Sequence, residues 1–356
     1  MDLKKFRERI DSIDSAILAL LNKRAKIILE IGKVKAKHKH PIYVPDREVE
    51  VYRKIVAGND GPLSDKAVTA IFREIMSGAL QLERPLSIAY LGPEFTFTHL
   101  ASMKKFGSSV NYSGCETIRD VFSEVEKERA DYGVVPIENS VEGAVNYTLD
   151  MFVDSDLKIC SEVFLDISHN LMSREKGKSK IKKVYSVPQV FGQCRMWLEA
   201  NLPGVDLIEV SSTAKAAEMS SREKGVACIG SRQAGEKYGL NLLSRSIEDS
   251  THNVTRFLVI GRTDAKATEH DKTSLVMSIK DKVGGLHNIL VPFKKHKLNL
   301  TKIESRPSKT RAWEYYFFID VEGHYSDPCV AKALEMLKKE TTYLKILGSY
   351  PSGTSV

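Results

Sequence analysis

The stretch Tyr132–Val145, YGVVPIENSVEGAV, opens on an apolar run that reads as a buried strand ending at Pro136. Glu138, Asn139 and Ser140 follow at once, setting a carboxylate, an amide and a hydroxyl at the strand's end. Pro, Asn, Ser and Gly all favour turns, so the trio reads as punctuation. It reads equally as the floor of a site, because α/β folds bind ligands beyond the carboxyl ends of their strands. The flanking chain decides between the two.

From Pro85 to Arg262 short apolar runs (SIAYLG, YGVVPI, KKVYSV, LIEVS, GVACIG, TRFLVIG) alternate with helical stretches, an α/β texture. Hydroxyl-rich turns follow several of these runs. Thr96 and Thr98 stand in PEFTFTHLAS, and Ser211, Ser212 and Thr213 lead into AKAAEM. Any one turn is explained as a helix cap. Three together point to converging helix N-termini, a natural anion site, in a cleft between two lobes. Near the end of the segment HNVTRFLVIG crowds Asn253, Thr255 and Arg256 just before a buried strand. In this setting the trio after Val135 reads as cleft floor.

The flanks differ in texture. Residues 1–84 read as helical, with breaks at Pro41, Pro45 and Gly58–Pro62. Leu3, Phe6, Ile10, Ile13, Ile17, Leu20, Ile27, Ile31 and Val34 recur in steps of three and four, a helix-pairing seam. Arg24 occupies one slot of that series, where a cation is costly unless it meets an anion. A structural ion pair or a snorkelling side chain would satisfy it, and so would an anionic ligand. Lys35 lies about 16 Å further along nearly the same face, and Arg7 about 25 Å before Arg24, at the standard helical rise. Arg7 can therefore join the other two only from a second copy, which predicts an intertwined homodimer. After the polar linker TDAKATEHDK, residues 272–350 read βαββαβ, a ferredoxin-like α+β pattern.

Bulk properties bound the alternatives. The 356 residues suffice for two or three domains, and 42% hydrophobic with 28% charged content is that of a soluble globular chain. No apolar run approaches a membrane span, and the opening MDLKKFRERI lacks a signal-peptide core. The five cysteines are scattered and never form a CxxC pair, which points to reduced thiols in a cytoplasm and away from zinc or disulfides. His38–His40 (HKH) reads as a basic helix end before it reads as a metal site. A net charge of +7 suits anionic small molecules, and it lacks the aromatic interleaving of a nucleic-acid surface. No cofactor is expected.

FRERIDSIDSAILALLNKRAKI with EIGKVKAKHKHPIYVPDRE resembles the all-helical chorismate mutase family, over most of residues 1–84. The resemblance implies that Arg7, Arg24, Lys35, Arg47 and Glu48 bind chorismate inside a swapped dimer. Val44 and Glu83 depart from residues common in that family, Glu83 lying one turn after Ala79. A carboxylate donates to the substrate's ether oxygen only when protonated, so Glu83 is expected to hold a proton and mutase activity to rise as pH falls.

LGPEFTFTH, PIENSVEG, SSTAKAA, ACIGS and HNVTRF together resemble prephenate dehydratase across residues 86–262. That implies a two-lobed fold like that of periplasmic binding proteins and an essential threonine in the TRF motif, Thr255–Phe257. Loss of carbon dioxide and the ring hydroxyl of prephenate requires a donor at the leaving oxygen. Thr255 is expected as donor or relay and Glu138, with a raised pKa, as ultimate acid. Asn139, Ser140, Ser212, Thr213 and Arg256 are expected to orient carboxylates. Phe95 stands where relatives often carry a small residue and is expected to narrow the cleft. Val187 replaces a frequent histidine, leaving Gln189 as the polar group of that turn.

GGLHNIL and ESRPSKTRAWEYYFFID resemble the ACT regulatory domain. Gly284 and Gly285 alone would read as a tight turn. With Leu286 and the Glu304, Ser305, Arg306, Pro307 segment, the resemblance implies a phenylalanine-binding site at a domain–domain dimer interface. The combined expectation is a bifunctional enzyme of phenylalanine biosynthesis, converting chorismate through prephenate to phenylpyruvate under feedback by L-phenylalanine. It is homodimeric, with pairing into tetramers left open. Two other readings stay open: a dehydratase whose N-terminal helices only dimerise, and a non-catalytic amino-acid sensor.

Overall fold

A computed structural model describes residues 3–38, 41–279, 282–308 and 314–353. Part of the HKH cluster (Lys39, His40) and residues 309–313 of the last motif lie outside these. The chain divides into two compact units, Met1–Ser87 with Lys105–Asn111, and Ile88–Lys104 with Tyr112–Val356.

The first unit carries three helices, α1 (Leu3–His38), α2 (Pro45–Ala57) and α3 (Asp65–Glu83). Pro45 starts α2, where its fixed φ and missing N–H cost nothing. Ser64 caps α3 by accepting from the Ala67 amide at 3.2 Å. The 36 residues of α1 span about 54 Å. Helices α1 and α3 meet closely at Gly32, where a Cβ would lie 3.0 Å from Glu83 Cγ. The apolar seam of α1 faces outward instead: Leu3 is 71% exposed, Ile13 59% and Leu20 66%.

The second unit begins with β1 (Ser87–Leu91), α4 (Phe97–Phe106), β2 (Asn111–Cys115), α5 (Ile118–Glu126), β3 (Tyr132–Asn139), β4 (Gly143–Ala144), α6 (Asn146–Asp154) and β5 (Lys158–Asp166). The chain then crosses to β6 (Asn170–Ser173), β7 (Lys183–Ser186), α7 (Pro188–Gln193), α8 (Arg195–Asn201), β8 (Asp206–Glu209), α9 (Thr213–Ser220), β9 (Val226–Gly230), α10 (Arg232–Lys237) and β10 (Asn241–Ser244). It returns in β11 (Val254–Gly261). Two sheets result, ordered β2-β1-β3-β11-β5, with β4 on β3, and β10-β6-β9-β7-β8. They form two α/β lobes joined by two crossovers.

Strand β3 does not stop at Pro136. It continues through Glu138 and Asn139, and a register shift opposite Pro136, between Arg256 and Phe257, absorbs the missing N–H. The polar pair thus belongs to the strand itself, and its two side chains point to opposite faces.

The remainder is β12 (Asp271–Ile279), α11 (Gly285–Lys295), β13 (Leu300–Pro307), β14 (Tyr315–Glu322), α12 (Pro328–Glu340) and β15 (Thr341–Pro351), a βαββαβ unit with sheet order β13-β14-β12-β15. It packs on the first lobe: Val276, Phe318, Leu347 and Tyr350 share one core with Ile137, Phe152 and Leu258. Gly348 permits this docking, because a Cβ there would fall 2.3 Å from the Ile159 carbonyl oxygen. Lys345 Nζ donates to the Ser155 carbonyl at 2.7 Å, just past the C-terminus of α6, where a cation meets the negative end of the helix.

Candidate functional site

Between the two lobes opens a cleft of about 1030 Å³. The N-terminal ends of α4, α7 and α9 supply Thr96, Thr98, Gln189, Ser211, Ser212 and Thr213 to its wall. Ser212 is also the cap of α9, accepting from the Lys215 amide at 3.0 Å. Asn139 and Thr255 lie on its floor with Phe257. The two are register partners on adjacent antiparallel strands, which explains why residues so far apart in sequence meet. Asn139 Nδ2 donates to Thr255 Oγ1 at 2.8 Å and to Asn253 Oδ1 at 2.7 Å. Asn253 is buried behind the floor and reaches the cleft through this bond. Asn139 thus fixes the position of the Thr255 hydroxyl at the cleft floor.

Strand alternation takes two expected residues, Glu138 and Arg256, out of the cleft, and a turn takes a third, Ser140. Glu138 and Arg256 pair in register one step along, and their side chains point to the rear of the sheet. Glu138 lies 2.8 Å from the Lys302 ammonium of β13, on the face of the sheet away from the cleft. Arg256 Nε donates to Glu162 at 2.7 Å, one terminal nitrogen to Asp320 at 2.6 Å and the other to the Tyr350 hydroxyl at 2.9 Å. Burial opposes the Arg256 charge, and Tyr350, Asp320 and Glu162 more than offset it, so its pKa is held above the ordinary arginine value. This arginine ties the C-terminal sheet to the back of β11 and does not line the cleft. Ser140 donates to the His252 carbonyl and accepts from the Val254 amide, stapling a turn instead of facing the cleft.

Phe95 departs from expectation too. Its backbone is left-handed, at φ 67°, and its ring packs beside the core of the second lobe, outside the cleft lining. Val187 does line the cleft.

His169, Gln193 and Glu142, none of them expected from the sequence, also line the cleft. Gln193 stands four residues after Gln189, the spacing that shares one helix face, and that signal was available. His169 follows β5 and becomes a site residue only through the crossover. It is buried, its Nε2 lies 2.7 Å from Gln193 Oε1, and burial lowers its pKa below the usual histidine value.

In the helical unit Arg24 is half-buried, and burial, then the charge of Arg47, lowers its pKa. Two expected cations, Arg24 and Arg47, are therefore close enough for their charges to interact. Lys35 Nζ contacts both Glu83 oxygens, at 2.9 and 3.1 Å, and donates to the Ile42 carbonyl at 2.8 Å. Glu83, expected from sequence to donate to the substrate's ether oxygen, is engaged by Lys35 instead. Glu48 accepts from the Tyr43 hydroxyl at 2.8 Å and pairs with Lys105 at 2.7 Å. Arg47 pairs with Glu50 at 2.5 Å on the exposed side of α2. Val44 caps α2 by backbone alone, and Ala79 lies half-buried one turn before Glu83 on α3. Arg7 lies on the exposed stretch of α1.

In the C-terminal sheet Gly284 caps α11 at φ 78°, a left-handed conformation suited to glycine, and Gly285 is buried behind it while Leu286 is exposed. Strand β13 alternates: Lys302, Glu304 and Arg306 are the more buried set, and Ile303, Ser305 and Pro307 are exposed. Arg306 is committed to Asp150 of α6 at 3.1 Å, which removes it from the set free to hold an effector.

The cleft, its hydroxyl-lined helix ends and the appended sheet define a two-lobed α/β enzyme with a C-terminal regulatory module. Family models match in the same order: chorismate mutase type II over residues 6–84, prephenate dehydratase over 88–265 and the ACT domain over 273–335. The chain is 51% identical to the bifunctional chorismate mutase/prephenate dehydratase of Aquifex aeolicus, over 98% of each chain. It is 45% identical to the enzyme of that description from Stutzerimonas stutzeri, over 98% of this chain and 97% of the other. Among solved structures it is similar to the prephenate dehydratase of Arthrobacter aurescens in complex with L-Phe, with a TM-score of 0.69 and 34% identity over 75% of this chain and 90% of that one. This chain belongs to the family of bifunctional chorismate mutase/prephenate dehydratases, and both activities, an isomerase and a lyase, are assigned to it.

Proposed function

We propose that the interlobe cleft is the dehydratase site and that Thr255 is its hydrogen-bond donor to the departing ring hydroxyl of prephenate. The observation that carries this is the Asn139–Thr255 bond, which occupies one acceptor position of the threonine and holds its hydroxyl on the cleft floor. Loss of carbon dioxide supplies the electron pair, the C–O bond breaks, and the ring becomes aromatic. The protein has only to stabilise the leaving oxygen. Thr96, Thr98, Gln189, Ser212 and Thr213, at helix N-termini, hold the two carboxylates.

Chorismate is bound in the helical unit by Arg24, Lys35, Arg47 and Glu48, with Arg7 delivered by α1 of a second copy. The rearrangement needs no nucleophile, only positioning and donors at the carboxylates and the ether oxygen. The outward apolar seam of α1 supports the homodimer this requires. L-Phenylalanine is the feedback effector, held at Gly284–Leu286 and the exposed Ser305 and Pro307. Working limits for the three domains are 1–84, 86–262 and 272–350, in a cytoplasmic enzyme. Among the described residues no helix is long and apolar enough to cross a membrane. A coupled assay from chorismate, with and without phenylalanine, tests the whole. Chorismate consumption without phenylpyruvate formation would reject the cleft as a dehydratase site, and indifference to phenylalanine would reject the effector site.

A further inference from the structure

The orientation of every side-chain amide behind the cleft floor follows from two backbone N–H groups. Val141 and Glu142 donate to Asn139 Oδ1 at 2.9 and 3.0 Å, so the other end of that amide must be NH₂. It donates to Thr255 Oγ1 and Asn253 Oδ1. Asn253 must then present its own NH₂ to Gln193, whose Oε1 accepts at 2.8 Å. That oxygen is also the partner of His169 Nε2 at 2.7 Å, and an amide oxygen only accepts. The proton of a neutral His169 is therefore on Nε2. Its Nδ1 is left as a bare lone pair, buried, with no partner among the described residues. The ring is held edge-on by Phe97, 5.5 Å between centroids, and belongs to the cleft wall.

A buried acceptor without a partner is costly unless a ligand or water supplies a donor. Prephenate with both carboxylates ionised has a single O–H, its ring hydroxyl. We propose that His169 is a further substrate-contacting residue whose Nδ1 accepts that O–H, turning a lone pair of the same oxygen toward the Thr255 hydroxyl. The leaving group is thus gripped by one acceptor and one donor. This makes His169 a determinant of orientation and of selectivity for the hydroxylated substrate over phenylpyruvate, which lacks the hydroxyl. The inference rests on the cleft being the prephenate site.

The test uses the full-length chain. His169→Gln keeps an N–H near the Nε2 position for Gln193 but removes the Nδ1 lone pair. Its kcat/KM for prephenate is expected to fall about tenfold, one hydrogen bond's worth, while phenylpyruvate binding stays within about twofold. Equal loss of both ligands would overturn the proposal, as would unchanged kcat/KM. In the otherwise native chain, nitrogen-15 NMR is expected to show the His169 proton on Nε2 and an Nδ1 shift when prephenate is added to the Thr255→Ala variant. A proton on Nδ1, or no shift, refutes it even if His169→Gln does not fold. If Thr255→Ala keeps full dehydratase activity, the cleft assignment itself has failed, which is a distinguishable result.

Discussion

Replacing Asp320 by alanine probes the buried network behind β11. Asp320 Oδ2 accepts from Arg256 at 2.6 Å and Oδ1 from Ser274 Oγ at 2.6 Å. The Arg256 and Asp320 side chains are each only 8% exposed. At an effective dielectric near 20, unit charges about 4 Å apart attract by about 4 kcal/mol, and removing one partner of a buried pair costs about 3–5 kcal/mol. Glu162 remains on Arg256 Nε, and the Ser274 hydroxyl remains within 2.6 Å of the Tyr350 hydroxyl, so the lower end applies. Asp320→Ala should therefore destabilise the dehydratase–ACT unit by about 3 kcal/mol. Asp320→Asn keeps the acceptor but not the charge and should lose about half of that. Urea unfolding followed by tryptophan fluorescence reads this as a lower midpoint at unchanged slope. Arg256→Met in the Asp320→Ala background should restore part of the loss, because an apolar pair leaves no unanswered charge. A change below about 0.5 kcal/mol in Asp320→Ala, the range of surface substitutions, would refute the buried-network argument.

Thr255→Ala should lower dehydratase kcat by about 10²- to 10³-fold with little change in KM, as for loss of one transition-state donor, and single-turnover kinetics would read it. Glu138→Gln should leave that step nearly unchanged, since its carboxylate faces Lys302 at the rear of the sheet. Of the five thiols only Cys329 is exposed, and burial raises Cys115 to about 11 and Cys160 and Cys228 to about 12. A thiol reagent at neutral pH should therefore label one cysteine rapidly in the native chain and the rest only on unfolding. Burial lowers the pKa of both His99 and His169, so the unfolded chain binds protons that the folded chain refuses. Stability should be fully present above about pH 6.5 and fall on acidification through that value, and His169→Gln should flatten part of the slope in a pH series of midpoints.

Much of the site was legible from residue type and spacing. Thr96, Thr98, Gln189, Ser212, Thr213 and Thr255 were placed because hydroxyls and amides after apolar runs mark helix starts and strand ends, and the cleft collects them. Glu138 and Arg256 were misplaced for one reason. Adjacent residues of a strand face opposite ways, and Pro136 reads in sequence as the strand's end although β3 runs on through Glu138 and Asn139. Extending the strand would have shown that Glu138 and Asn139 cannot share a floor. Gln193 could have been found from its helical spacing to Gln189.

The order of helices and strands, the βαββαβ close and the cation on the first helix's seam follow from the chain alone, because periodicity and turn chemistry are local. What stands behind β11 does not. Glu162, Asp320 and Tyr350 converge on Arg256 from strands 64 to 94 residues away in sequence. His169 owes its tautomer to a chain of bonds that starts at the Val141 and Glu142 amides. Burial and strand register, fixed only when distant segments pair, decide which polar groups meet a ligand and which meet one another.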